Sequence, residues 1–250
     1  MPLVDMHDML NHAYRNHYAV GAFSPTGLDF IEAIVAAAER CRSPVILGFD
    51  ESRFSHDGFG LAVAAAERAA HRAAVPIAIY SDRGRSPESA VRAINLGCNG
   101  VKVDAGHDSF PVNVANTRRL VEIAHACGVT VEAGFGQAGE ADGGNANRQP
   151  GEAGATSVEE ARAFVQRTRV DCLAVSLGVQ PGRPRGRSKP DIERLKRINE
   201  AVRIPLAIQV DGGLNDELAH KLIQHGVAKI DCGTALADAA GERIRSNVRN

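Results

Sequence analysis

Charged residues recur at the carboxyl ends of apolar runs that resemble buried strands. Six of these runs carry an acidic residue there: Asp50, Asp82, Asp104, Glu132, Asp211 and Asp231. Three basic residues accompany them: Arg83, Lys102 and Lys229. A charge at the edge of a core needs a partner or a function, because its desolvation is costly. Carboxylates can carry protons, and neighbouring cations can stabilise negative charge that develops during a reaction. The pattern therefore predicts acid–base chemistry at one end of a sheet.

Two glycine-containing turns, DGGLN (211–215) and DCGTALADA (231–239), precede helical patterns near the end of the sequence. Backbone N–H groups and the positive dipole end of a helix attract anions. The turns supply the candidate phosphate ligands Gly212, Gly213, Gly233 and Thr234. The basic stretch GVQPGRPRGRSKP (178–190) adds Gly178, Gly182 and Arg185, and its cationic side chains could close over a second anionic group.

Eight short runs rich in Val, Ile, Leu and Ala alternate with segments of helical period. The predicted strands are 18–23, 43–49, 75–80, 100–105, 128–133, 171–177, 204–210 and 228–233. Such runs suit parallel strands that are buried on both faces. Eight strand–helix units with right-handed crossovers predict an α/β fold, the (β/α)8 TIM barrel, whose active sites lie at the carboxyl ends of the strands.

An extra N-terminal helix over 4–16 could cap the bottom of this barrel, and we expect a single domain, 1–250. An open doubly wound sheet is the alternative. It is disfavoured because no Gly-x-Gly-x-x-Gly follows the first strand.

Composition narrows the classes of partner. The net charge is −1 and aromatic residues make up 4% with no tryptophan, so neither nucleic acid nor a membrane surface is expected as a partner. No signal sequence and no apolar run of roughly 18 residues is visible. The five cysteines are widely spaced and resemble reduced core thiols. We therefore expect a cytoplasmic protein that binds a small phosphorylated substrate.

Several stretches carry a family resemblance. They are YAVGAFS (18–24), SPVILGFDE (43–51), the block from VKVDAGHDSF to GFGQAGE (101–140), DCLAVSLG (171–178) and VAKIDCGTALADA (227–239). Together they resemble the class II fructose-bisphosphate and tagatose-bisphosphate aldolase family over nearly the whole chain. The resemblance implies a lyase of carbohydrate metabolism that assembles as a homo-oligomer.

The resemblance also implies a zinc ion that polarises the ketose carbonyl, three histidine ligands and an aspartate that carries a proton. Asp82 matches that aspartate, but Arg83, Pro181 and Asp211 stand at or near the three ligand positions. We therefore expect a divergent member that lacks the zinc-binding histidines and uses no cofactor. Asp50 also replaces a serine associated with substrate contact, and Asp231 replaces an asparagine.

Three groups could replace the metal as electrophile. The guanidinium of Arg83 could hold a ketose oxygen and stabilise enolate charge. The amine of Lys102 could form a Schiff base, although nearby carboxylates would raise its pKa, and ion pairing with Asp104 or Glu132 is the simpler role. A Mg²⁺ ion held by carboxylates and water is the third alternative.

The predicted function is a zinc-independent aldolase that makes or cleaves a small phosphorylated ketose of the dihydroxyacetone-phosphate type. Two alternatives stay open. One is a sugar-phosphate isomerase or epimerase in which Asp82 and Asp211 shuttle a proton. The other is a catalytically inactive homologue that binds a sugar phosphate.

Overall fold

Eight parallel strands form a closed barrel in the order β1 to β8. The computed structural model describes residues 3–84, 87–104, 109–134, 156–177, 190–210 and 214–248, without the side chains of residues 56, 83, 84, 104, 234, 235 and 248. The strands are β1 (Val20–Phe23), β2 (Val45–Asp50), β3 (Ile77–Gly84), β4 (Gly100–Asp104), β5 (Thr130–Gly134), β6 (Cys172–Ala174), β7 (Leu206–Gln209) and β8 (Val227–Cys232). The predicted (β/α)8 barrel is confirmed.

Helices alternate with these strands along the chain. They are α1 (Met6–Arg15), α2 (Leu28–Cys41), α3 (His56–Arg72), α4 (Pro87–Asn95), α5 (Phe110–Ala126), α6 (Val158–Thr168), α7 (Ile192–Val202), α8 (Asp216–Gln224) and α9 (Gly233–Val248). Several begin at a side-chain cap of the kind that the sequence favours: Asp5, Ser55, Ser157, Asp191 and Asn215 each accept a hydrogen bond from a first-turn N–H. None of the described helices has the length and apolarity that crossing a membrane would require.

The larger of two apolar cores lies between the strands and the surrounding helices. Phe49, Ile79 and Val131 on the strands pack there with Phe59 of α3 and Phe164 of α6. These side chains point outward from the barrel, so the opposite face of each strand lines the barrel interior. The identity of the inward-facing residues therefore decides what the barrel contains.

Helix α1 closes the amino-terminal end of the barrel. Met6, Met9 and Leu10 are buried in a second core together with inward-facing strand residues such as Ala78 and Ala207. The segment before α1 runs along the sheet, since Leu3 pairs with Ile77 and the Val4 N–H donates to the Ile77 carbonyl at 3.0 Å. This confirms the expected cap, and it leaves the carboxyl end of the barrel as the face available to a ligand.

Tyr80 fills the middle of the interior because both of its register partners are glycines. Tyr80 pairs with Gly48 on β2 and with Gly100 on β4. A Cβ added at Gly48 would lie 3.5 Å from the Tyr80 ring, and one added at Gly100 would lie 3.1 Å from it. The two glycines thus make room for one large aromatic ring where three ordinary side chains would compete.

Candidate functional site

A layer of charged side chains lies between the Tyr80 ring and the carboxyl end of the barrel. Lys102 on β4 pairs in register with Glu132 on β5, so the two side chains enter the interior side by side. On β8, Lys229 and Asp231 are two residues apart and therefore face the same side of the strand. Tyr80 and Asp82 have the same spacing on β3. The pairing of neighbouring strands, together with the two-residue spacing along each strand, thus brings together charges that are distant in sequence.

Five of these residues form a continuous series of ion pairs, which we call the ion chain: Asp82, Lys102, Glu132, Lys229 and Asp231. Lys102 Nζ lies 3.4 Å from Asp82 Oδ1 and 3.4 Å from Glu132 Oε1. Lys229 Nζ lies 2.8 Å from Glu132 Oε2. It also donates a hydrogen bond of 2.6 Å to Asp231 Oδ1. Acidic and basic groups alternate, so each ammonium contacts two carboxylates.

Exposure increases from the centre of the ion chain to its ends. The side chains of Glu132 and Lys229 are 0% exposed, whereas Asp82 is 20% and Asp231 is 18% exposed. The two end carboxylates are therefore the members that a ligand at the barrel mouth can reach. The ion chain contains three carboxyl groups and two amino groups, so one acidic group lacks a balancing lysine within it.

Tyr80 is part of the site, although sequence reasoning did not select it. Lys229 Nζ lies 4.2 Å from the centroid of the Tyr80 ring, within the range of a cation–π contact. The ring thus forms the floor beneath the charged layer. The available signal was its position two residues before Asp82 on the same strand, which places both side chains on one face.

The protonation states follow from burial and from neighbouring charges. Burial alone would lower the pKa of Lys102, but the carboxylates of Asp82 and Glu132 outweigh it and the pKa lies above its ordinary value. The pKa of Lys229 is raised in the same way, because Asp231 and Glu132 outweigh burial. Both lysines are therefore ammonium ions at neutral pH. This argues against an unprotonated Lys102 amine ready to form a Schiff base.

The carboxyl groups of the ion chain differ from one another. Burial would raise the pKa of Glu132, but Lys229 and Lys102 reverse the effect and the pKa is lowered. Burial raises the pKa of Asp231, and the single lysine that it contacts, Lys229, only partly opposes the rise. Glu132 is thus a fixed anion, whereas Asp231 is shifted toward a pH at which it can exchange a proton.

Asp50 lies at the mouth beside Asp82, its register partner on β3. Its Oδ1 accepts hydrogen bonds from the Ser52 backbone N–H at 3.0 Å and from Ser52 Oγ at 2.6 Å. Its Oδ2 lies 3.6 Å from Arg53 Nε. The carboxylate thus caps a 3₁₀ turn, Glu51–Arg53, and its predicted contact with substrate stays a prediction.

Several predicted site residues lie partly or wholly outside the described structure. The backbones of Arg83, Asp104 and Thr234 lie in β3, β4 and α9, and their side chains are not described. Six others lie outside the described residues: Gly178, Gly182, Arg185, Asp211, Gly212 and Gly213. Their roles stay predictions.

Gly233 lies where the phosphate turn was predicted. It begins α9 directly after β8, and a Cβ added to it would meet nothing within 4 Å. The first N–H groups of α9 therefore start at the carboxyl face, two residues beyond Asp231. This position is compatible with an anion at the end of β8.

The described residues do not offer a metal centre. Among them no three His, Cys, Asp or Glu side chains are grouped as metal ligands. In the ion chain the carboxylates contact lysine ammonium groups, which would repel a divalent cation. The donor set that the described residues present at the mouth therefore does not fit zinc. The side chain at position 83 and the whole of residues 181 and 211 lie outside the described structure.

The closed barrel, with its charged layer at the carboxyl end, has the organisation of a barrel enzyme that performs acid–base chemistry. Comparison with known families narrows this class, since class II fructose-bisphosphate aldolase matches residues 4–250. The chain belongs to the class II fructose-bisphosphate aldolase family.

Individual relatives agree with the family match. The fructose-bisphosphate aldolase of Thermus caldophilus is 38% identical over 264 residues, which cover 96% of this chain and 86% of the relative. The fructose-bisphosphate aldolase of Geobacillus stearothermophilus is 37% identical over 249 residues, which cover 98% of this chain and 85% of the relative. The crystal structure of the YdjI aldolase from Escherichia coli K12 superimposes with a TM-score of 0.85 at 29% identity, covering 99% of this chain and 88% of that chain.

Proposed function

We propose that this member of the family is a lyase that cleaves or forms a small phosphorylated ketose by an aldol reaction without zinc. One observation carries the zinc-independent part: the ammonium of Lys102 lies 3.4 Å from Asp82 Oδ1, beside the carboxylate that matches the proton-carrying aspartate of the family. A fixed positive charge thus stands next to the acid–base group. Arg83, at the position of a zinc ligand in the family, is predicted to add a second positive charge.

Aldol cleavage requires three catalytic functions: a base, a cation and an acid. A base must take the proton of the hydroxyl group on the carbon that leaves as aldehyde. A cation must stabilise the enediolate oxygen that remains, and an acid must protonate the enediolate carbon. In this proposal Asp82 is an acid–base group, and Lys102 holds the carbonyl oxygen of the ketose. The raised pKa of Lys102 supports this role, because an ammonium keeps its charge throughout the reaction.

Glu132 and Lys229 are proposed to support Asp82 and Lys102 from the barrel interior. Glu132 Oε1 lies 3.4 Å from Lys102 Nζ on the side of the interior, so it fixes the ammonium without facing the mouth. The phosphate is proposed to bind the N–H groups at the start of α9, with Gly212, Gly213 and Thr234 as predicted partners. The names of the relatives support a lyase over the isomerase and the inactive homologue.

The test is an assay of aldehyde release from a panel of ketose phosphates, before and after treatment with EDTA. Cleavage is expected to survive the chelator. The Lys102→Met variant, which keeps side-chain length and removes the charge, is expected to lower kcat about 100- to 1,000-fold. The exposed Lys196→Met variant is the matched control and is expected to retain wild-type kcat. Arg83→Ala is also expected to lower kcat.

The possible results separate the parts of the proposal. Loss of cleavage with EDTA and recovery with added zinc would contradict the zinc-independent mechanism and leave the lyase intact. Absence of cleavage by the folded wild-type protein on every ketose phosphate would contradict the lyase. Homo-oligomer formation stays a prediction from the family resemblance, and residence in the cytoplasm stays a prediction from the composition and the cysteines.

A further inference from the structure

Asp231 is the second carboxylate that reaches the barrel mouth. Its side chain is 18% exposed, close to the 20% of Asp82, whereas Glu132 between them is fully buried. Oδ1 of Asp231 is held by Lys229 at 2.6 Å. The group is therefore fixed in direction and accessible, which are the two properties that a proton-transfer group requires.

The two end carboxylates approach the mouth from different sides. Asp82 is on β3 and Asp231 on β8, and β1 and β2 stand between these strands in the barrel. Asp231 is two residues before Gly233, where α9 begins and where the phosphate is proposed to bind. A ketose phosphate anchored there would place its first carbons beside Asp231. The rest of its carbon chain would extend across the mouth toward Asp82.

We propose that Asp231 is a second catalytic acid–base group, which moves the proton on the carbon next to the ketone, while Asp82 moves the hydroxyl proton of the aldehyde half. This assignment rests on the proposed aldol reaction and deepens it. It divides two proton transfers between two carboxylates that are joined through the ion chain.

Cleavage moves two protons and one bonding electron pair. Asp82, as carboxylate, accepts the hydroxyl proton, the carbon–carbon bond breaks, and the hydroxyl oxygen becomes the aldehyde carbonyl. The bonding electron pair passes into the ketose half as an enediolate, whose oxygen faces Lys102. Asp231, as carboxylic acid, donates its proton to the enediolate carbon and gives a ketone phosphate. Water at the mouth then takes the proton from Asp82 and returns one to Asp231, which restores the starting state. Condensation runs the same steps in reverse, and no oxidant or reductant is needed.

The surroundings of Asp231 suit this exchange. Glu132, Lys102 and Asp82 are close enough to affect it electrostatically, and burial raises its pKa above the ordinary aspartate value. Removal of the carboxylate would still leave Lys229 with a partner, because Glu132 Oε2 lies 2.8 Å from Lys229 Nζ. The Asp231→Asn variant is therefore expected to fold.

The experiment separates the two proton transfers. Dihydroxyacetone phosphate alone is incubated with enzyme in D₂O, and deuterium at the carbon next to the ketone is followed by NMR. Aldol cleavage is measured separately. Asp231→Asn is expected to lose exchange by at least about 100-fold, and cleavage with it. Asp82→Asn is expected to retain exchange while losing cleavage.

The controls keep the assignment falsifiable. The exposed Asp216→Asn variant should match wild type in both assays. Asp231→Glu keeps the charge but moves the carboxylate, so it should fold and show reduced exchange. Wild-type exchange in Asp231→Asn would overturn the assignment and leave the proposed lyase standing. A folded wild-type protein that neither exchanges nor cleaves would overturn both.

Discussion

Glu132 is the central residue of the ion chain and links its two lysines. It is fully buried and contacts both lysines, through Oε1 to Lys102 at 3.4 Å and through Oε2 to Lys229 at 2.8 Å. A buried ion pair need not stabilise a protein relative to apolar residues, because desolvation offsets the attraction. Removal of one partner is different, since it leaves an uncompensated charge in a low-dielectric interior. Loss of the Glu132 charge removes one of the two carboxylate partners of each buried ammonium, so Lys102 keeps only Asp82 and Lys229 keeps only Asp231.

We therefore expect Glu132→Gln to lower the free energy of unfolding by about 3–5 kcal/mol. Urea unfolding followed by far-UV circular dichroism measures this change, since the chain has no tryptophan. The matched control is Glu217→Gln, which breaks an exposed pair with Lys221 and should cost less than about 1 kcal/mol. Equal effects of the two substitutions would show that the ion chain does not contribute as described.

At the scale of elements, α1 and the strands interlock through a glycine. Gly100 begins β4, and a Cβ placed there would overlap Met6 Sδ of α1 and lie 3.1 Å from the Tyr80 ring. Met6 and Tyr80 are both fully buried, so neither can move into solvent. The cap helix therefore docks only on a strand that lacks a side chain at this position.

The Gly100→Ala variant is expected to lower stability by about 1–3 kcal/mol through overpacking. The opposite sign is expected for Gly241→Ala in α9, where the nearest atoms to an added Cβ are at ordinary contact distance, 3.7 Å and beyond. There alanine should stabilise by about 0.4–1 kcal/mol. Thermal unfolding of both variants provides the comparison, and stabilisation by Gly100→Ala would contradict the docking of α1.

Patterns within single elements were sufficient to predict the barrel and the helical cap, because strand and helix periods are local properties. The strand-end carboxylates could also be predicted from the sequence. Their contacts differ, however, because these depend on residues outside their own strands. Asp50 is engaged by Ser52 in the following turn, whereas Asp231 remains at the mouth. Tyr80 was missed because its space comes from Gly48 and Gly100, and only strand register reveals those neighbours.

At the scale of the whole molecule, the ion chain makes stability depend on pH in opposing ways. The lowered pKa of Glu132 contributes stability that is present above its unfolded pKa and is lost as pH falls through the folded value. The raised pKa of Asp231 acts against folding once pH exceeds the unfolded pKa of about 3.9. There the unfolded chain has released a proton that the folded chain still holds, so rising pH favours unfolding.

We expect Asp231→Asn to gain stability relative to wild type as pH rises from about 3.9 through the folded pKa of Asp231. Above that value, and also below about 3.9, the difference between the two proteins should no longer change with pH. Urea unfolding at a series of pH values measures it. A difference that is independent of pH would contradict the raised pKa.

The burial of Lys102 and Lys229 has a practical consequence for following the protein in solution. The chain has only five lysines, and Lys196 and Lys221 are exposed. An acetylating reagent would modify those two amines at once but would reach the interior pair only when the strands separate. Acetylation of Lys102 and Lys229, followed over time by peptide mass spectrometry, would therefore report the rate of spontaneous opening. Tryptophan fluorescence cannot report it, because the chain has no tryptophan.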